Sequence, residues 1–286
     1  MTIDETIAAR KSCRSYDSQA LQELHRNQLE AAVRNDSTDH LGRPVSLKLI
    51  ERESTPESAS SGGAEKLGTY GVVKGAVLFL AGSFPRNDPK IESYGYAFEK
   101  IVLKATELGI GSCWLAGTLD RGAFGRALGL RDDAFMPAIS PLGYPADKRF
   151  FMDKVFRFAA GSDKRLAWDE LFSDADGGKP LTAETAGAYA KALEAVRWAP
   201  SASNKQPWRI SRLGGGYRFF VKRTPGYGKP FSFDLQRSDI GIAMCHFELS
   251  ARAAGLQGRW AYEDSPLRKI EEAEYIISWL PEGIPR

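Results

Sequence analysis

Cysteine and histidine are scarce in this chain, and both shortages exclude chemistry. Cys13, Cys113 and Cys245 are odd in number and far apart, which excludes a disulfide framework and implies a reducing, cytoplasmic compartment. His25, His40 and His246 have no ligand spacing among themselves or with the cysteines, so no metal site is expected. Net charge is only +3, too mild for a nucleic-acid protein. No apolar run approaches a membrane span, and MTIDETIAARK has acidic residues where a secretory signal needs an apolar stretch. Walker A, G-x-G-x-x-G after a strand and the G-x-S-x-G elbow are all missing. Cys113 has no neighbouring base and reads as a buried thiol, while His246 falls on an apolar helix and reads as core.

Apolar residues make up 43% of the 286, enough for two domains with a core each. Tyr94–Leu108 has helical periodicity, with Phe98, Ile101, Val102, Ala105 and Leu108 on one stripe and Gly109 as its stop. Gly75–Gly82, Phe135–Leu142, Tyr217–Val221 and Tyr275–Leu280 read as strands, and Gly214–Gly216 as a hairpin turn. Ala183–Trp198 reads as a helix, Glu53–Gly63 as a loop and Ser173–Pro180 as a linker. The mixture predicts an α+β fold with mixed and antiparallel sheets.

The most informative stretch, Ala199–Trp208, reads APSASNKQPW. Pro200 must end the preceding helix, because the residue before a proline is pushed out of helical geometry. Ser201, Ser203, Asn204 and Gln206 then follow as short hydrogen-bonding groups before Pro207 and Trp208. Such a loop suits a polar, planar ligand that needs directional contacts and close backbone approach. Near the N-terminus, Arg10, Lys11, Ser12, Cys13 and Arg14 place cationic forks beside a hydroxyl, which suits phosphate. Taken alone, such a cluster is more commonly a solvated group of charges at a helix start.

Together with ELGIGSCWLAG (Glu107–Gly117) and PLGYPADKR (Pro141–Arg149), these stretches resemble the FMN-dependent nitroreductase family. The resemblance implies that Arg10, Lys11, Ser12 and Arg14 hold the phosphate. It also implies that Pro200, Ser201, Ala202, Ser203, Asn204 and Gln206 line the ribityl chain and pyrimidine edge, with Ala116 and Gly117 beside N5. Lys164 and Arg165 lie where the family has a further basic pair, although GSDKR also makes a good surface turn. No side chain is expected to act as acid or base.

The motif order departs from that of ordinary members, since the A-P-S loop arrives only in the second half. A self-match accounts for this. At a constant offset of 146 residues, Gly95, Ala97, Leu103, Ala105, Gly109 and Trp114 fall on Gly241, Ala243, Leu249, Ala251, Gly255 and Trp260. The expected organisation is two tandem nitroreductase-like copies, 1–172 and 181–286, forming a one-chain pseudodimer. The first copy keeps the clamp and lacks the loop, and the second keeps the loop and lacks the clamp. One complete interface site is therefore expected, in a monomer. The implied activity is electron transfer from NAD(P)H to a nitroaromatic, quinone or similar acceptor by a ping-pong mechanism. The alternative is a flavin store, sensor or degenerate enzyme with little turnover.

Overall fold

The structure, a computed structural model, describes residues 1–52, 67–146, 164–229, 231–263 and 270–283. The first half contains α1 (Ile3–Ala9), α2 (Glu23–Asp36), β1 (Ser46–Glu51), β2 (Leu78–Pro85), α3 (Glu92–Glu107), β3 (Gly111–Ser112), α4 (Arg121–Leu128), β4 (Ala134–Phe135) and β5 (Ile139–Gly143). Then come α5 (Trp168–Leu171), β6 (Phe172–Asp174), β7 (Lys179–Pro180), α6 (Ala183–Ala186), α7 (Ala190–Trp198), β8 (Trp208–Leu213), β9 (Gly216–Val221), α8 (Leu235–Ala253), β10 (Gly258–Ala261) and β11 (Glu274–Pro281).

One plan occurs twice. The first sheet runs β1-β2-β5-β3, and the second contains β8-β9-β11-β10 in the corresponding order, all antiparallel. Each has a helix before its first hairpin (α2, α7) and a long helix after it (α3, α8). Both long helices stop identically. Gly109 (φ 73°) and Gly255 (φ 76°) take the left-handed conformation, and Ile110 and Leu256 donate back to Ala105 O (2.9 Å) and Ala251 O (3.0 Å). The α+β architecture is as expected.

Helices α3 and α8 are buried on almost every side, so they pack on one another as well as on the sheets. The contact is reciprocal. A Cβ on Gly95 would lie 2.0 Å from Ser238 O, and one on Gly241 would lie 1.9 Å from Glu92 O. Glu92 and Ser238 stand at the same 146-residue offset as the glycines, which is the pattern of a two-fold interface inside one chain. In β2, Leu78 and Leu80 face α3, while Phe79 and Ala81 face Phe124 of α4, as strand alternation requires.

Several local expectations are corrected. The strand expected at Gly75–Gly82 is β2, which begins at Leu78. Phe135–Leu142 is split into β4 and β5 around Pro137, which has no N–H for a ladder. The helix expected over Ala183–Trp198 breaks at Gly187 (φ 57°) into α6, a short 3₁₀ turn and α7. Ser173–Pro180 is no free linker: β6 pairs in parallel with β8 and antiparallel with β7, extending the second sheet. The α1 helix likewise packs against α7 and α8, so the halves interlock. Gly214 (φ 55°) and Gly215 (φ 74°) form the expected hairpin turn, whose twist requires two positive φ angles. The loop expected at Glu53–Gly63 lies outside the described residues.

Candidate functional site

The N-terminal segment is positioned by backbone pairing. A reciprocal Thr2/Glu5 capping box starts α1, which ends at Arg10. The next residues run beside β3: Cys13 N–H donates to Ser112 O (2.8 Å), and Tyr16 N–H donates to Lys74 O (2.9 Å). Extended backbone alternates its side chains. Arg10, Ser12 and Arg14 accordingly line one cavity, while Lys11 between them is exposed and does not.

The A-P-S loop reaches the same cavity from the other half. Ala199 leaves α7 at ψ 142°, as Pro200 demands. Ser203, Asn204 and Gln206 then adopt φ values of 48°, 54° and 49°. Three non-glycine residues in the left-handed region within four positions cost energy and need external support. Neighbouring groups provide it. Ser201 Oγ accepts from Gln206 N–H (2.9 Å), Asn204 Nδ2 donates to Lys164 O (2.9 Å), and Arg165 Nη1 donates to Asn204 Oδ1 (3.2 Å). Gln206 Oε1 accepts from Leu166 N–H (3.0 Å), and Tyr227 O–H donates to Ser203 Oγ (2.7 Å). Lys164 thus takes part through its carbonyl, and its side chain is exposed.

These segments enclose a cavity of about 380 Å³, within the usual range for cofactor sites of about 300–1,000 Å³. Of the expected residues, Arg10, Ser12, Arg14, Ala116, Gly117, Arg165 and Pro200–Asn204 line it; Lys11, Lys164 and Gln206 do not. Trp114, Leu115, Val72 and Ile242 supply apolar wall. Asp239, Tyr227 and Phe231 line it too, and the sequence reading missed them. Only the aromatic run after Gly226 and the acid near the start of α8 could have signalled them.

Asp239 is buried in that wall and accepts from Ala202 N–H at 3.2 Å. Burial pushes its carboxyl well above the usual Asp value, further raised by Asp234 and opposed by the Ala202 hydrogen bond. Folding therefore takes up a proton, and stability falls as pH rises from about 4 through the folded-state value. Asp239→Asn keeps an acceptor for Ala202 and removes that fall. Its melting temperature is expected to gain on wild type more at pH 8 than at pH 4; equal gains in melts at both would refute the buried neutral acid.

The place related to the cavity by the internal repeat is lined differently: Pro85 and Ser93, at the 146-residue offset from Phe231 and Asp239, join Asp39 and Arg43 around a separate cavity of about 490 Å³. Tyr262 and Glu263 stand at the 146-residue offset from Ala116 and Gly117. The Tyr262 hydroxyl donates to Glu92 Oε1 (3.2 Å) and lies 3.3 Å from His40 Nε2, with Lys90 Nζ 4.0 Å above its ring. His40 also edges Tyr96 and Trp260. In the turn after α2, Asp39 accepts from Leu41 N–H, Arg43 N–H and Arg43 Nε.

A family profile described as "Putative TM nitroreductase" matches residues 2–251. The chain belongs to this nitroreductase family. A crystal structure described as a putative nitroreductase from Thermotoga maritima is 20% identical at a TM-score of 0.61, covering 98% of this chain and 94% of its own, and so shares the fold. A nitroreductase with bound FMN from Bacteroides fragilis is 22% identical at a TM-score of 0.38, over 52% of this chain and 91% of its own. An FMN-dependent nitroreductase from Clostridium difficile is 19% identical at a TM-score of 0.38, over 52% and 92%. No curated protein matches the chain.

In this nitroreductase-family chain, none of the three cysteines is in a disulfide, and Cys113 and Cys245 are buried. His246 is buried as expected, but in a polar pairing with Glu99 rather than among apolar side chains alone. Among the described residues, no helix is long and apolar enough to cross a membrane, and no cluster of three or more His, Cys, Asp or Glu could hold a metal ion.

Proposed function

We propose that this chain is an FMN-dependent oxidoreductase that takes electrons from NAD(P)H and passes them to a nitroaromatic, quinone or similar small acceptor in two alternating half-reactions. One observation carries the reading: a single cavity joins the RKSCR segment of the first half to the APSASN loop of the second. The donor set fits the cofactor. Three guanidiniums (Arg10, Arg14 and Arg165) and the Ser12 hydroxyl suit a phosphate dianion, and the Trp114, Leu115 and Ile242 surfaces suit a planar ring. Bound FMN would supply hydride chemistry. Arg10, Ser12 and Arg14 would hold the phosphate, and Pro200, Ser201, Ala202, Ser203 and Asn204 would line the polar remainder. Ala116 and Gly117 would flank the reactive edge. Lys11 would add positive charge from outside the lining. Lys164 and Gln206 would brace the loop through the Lys164 carbonyl and the Gln206 amide.

On this reading the chain is a duplicated nitroreductase unit folded as its own dimer, 1–172 and 181–286, with the β6–β7 connection serving as an arm onto the second sheet. Cysteines held as thiols fit a cytoplasmic location. Because the chain keeps one RKSCR clamp and one A-P-S loop, about one FMN per chain is expected, bound to a monomer. Acid-released flavin measured against protein mass checks the ratio, and native mass spectrometry checks the monomer. A ratio near two, or flavin held only by a dimer, would refute the single-chain site. Steady-state NAD(P)H oxidation with a quinone then separates an enzyme from a flavin store.

A further inference from the structure

A buried polar network links the two halves of this cavity without lining it. Glu99 of α3 and His246 of α8 have no exposed side-chain surface, and Glu99 Oε1 lies 2.9 Å from His246 Nε2. The other carboxyl oxygen accepts from Trp114 Nε1–H (2.7 Å), and Arg10 Nε lies 4.0 Å from Oε1. Trp114 and Arg10 line the cavity. On its far side, His246 Nδ1 lies 3.0 Å from Ala195 O in α7, the helix that runs into the A-P-S loop. A carbonyl can only accept, so Nδ1 carries a hydrogen and donates. One further proton then sits between Nε2 and the carboxyl, and the bond forms whichever atom holds it.

Hydrogen bonds thus run from Trp114 through Glu99 and His246 to Ala195, across the α3–α8 contact. At the repeat offset of 146, Glu99 and His246 correspond to Cys245 and Lys100, so this pair occurs once. A fully buried ion pair or its neutral equivalent is weak support for stability, since desolvation offsets much of the attraction. Fixing the register of two surfaces is the better-attested use of such pairs. We propose that Glu99 and His246 are positioning residues that hold the cavity wall of the first half in register with the loop of the second. This rests on the reading of the cavity as the FMN site.

The test uses the full chain. Glu99→Leu/His246→Leu replaces both members with apolar groups, so neither member of the pair is left buried without the other. FMN titrated into this flavin-free variant is expected to bind tenfold or more weakly than to wild type, given roughly fivefold per lost hydrogen bond. Glu99→Gln can still accept from Trp114 and donate to His246 Nε2, so it is expected to stay within about threefold of wild type. An independent readout needs no flavin: the Trp114 indole N–H, assigned in NMR spectra with Trp114→Phe, should exchange slowly in wild type and fast in the double variant. Should the double variant not fold, His246→Asn, which keeps at most one of the two bonds, is expected to bind FMN roughly fivefold more weakly. Wild-type affinity in the folded double variant or in His246→Asn, slow exchange in the double variant, or a Glu99→Gln loss as large as the double variant's would overturn the proposal. Wild-type protein that binds no FMN would sink the cavity reading instead, while the exchange measurement still decides the positioning role.

Discussion

Gly241→Ala is expected to destabilise the protein by about 3 kcal/mol or more, because the new methyl would lie 1.9 Å from Glu92 O and 2.7 Å from Tyr96 N. Both obstacles are backbone atoms of a helix, so no side-chain rotamer relieves them. The helices must separate, and Leu235, Asp239 and Ile242 of α8 move with them in the cavity wall. Gly95→Ala should act alike through Ser238 O at 2.0 Å, since the contact is reciprocal. Gly228→Ala is the control: nothing lies within 4 Å of its Cβ, and a change within about 0.5 kcal/mol is expected. Urea unfolding of the three variants measures this. A small effect at Gly241 would mean that the halves are not locked by the α3–α8 contact.

Arg14→Ala is expected to weaken FMN binding roughly tenfold to a hundredfold, from about 1.5–3 kcal/mol for a charged hydrogen bond to phosphate. The melting temperature of the flavin-free protein should change less than flavin affinity does, because the substitution keeps the backbone pairing in which Arg14 O accepts from Lys74 N–H (2.9 Å). Asn204→Ala should behave differently. Its amide holds Lys164 O and Arg165, and its φ of 54° disfavours alanine, so affinity and flavin-free stability should both fall. Fluorescence quenching on titrating FMN, beside thermal melts, separates the two patterns. Unchanged affinity in Arg14→Ala would remove that residue from the site.

The sequence by itself determined the family resemblance, the α+β class and the internal repeat, because these rest on local constraints. Pro200 must end α7, Gly109 and Gly255 must end α3 and α8, and the apolar stripe of Tyr94–Leu108 must be buried. Its two halves also named the segments that meet, RKSCR and APSASN, but not how they meet. Strand alternation beside β3 put Arg10, Ser12 and Arg14 into the cavity and left Lys11 outside, which no motif states. Asp239, Tyr227 and Phe231 joined the lining from positions with no distinctive local pattern. The segment read as a linker became β6 and β7, because its partner β8 lies more than thirty residues away along the chain. The Glu99–His246 pair spans 147 residues, and Tyr262 meets His40 across 222. Local spacing fixes caps, turns and periodicity. Only the packing of α3 on α8 decides which distant side chains share a wall or a hydrogen bond.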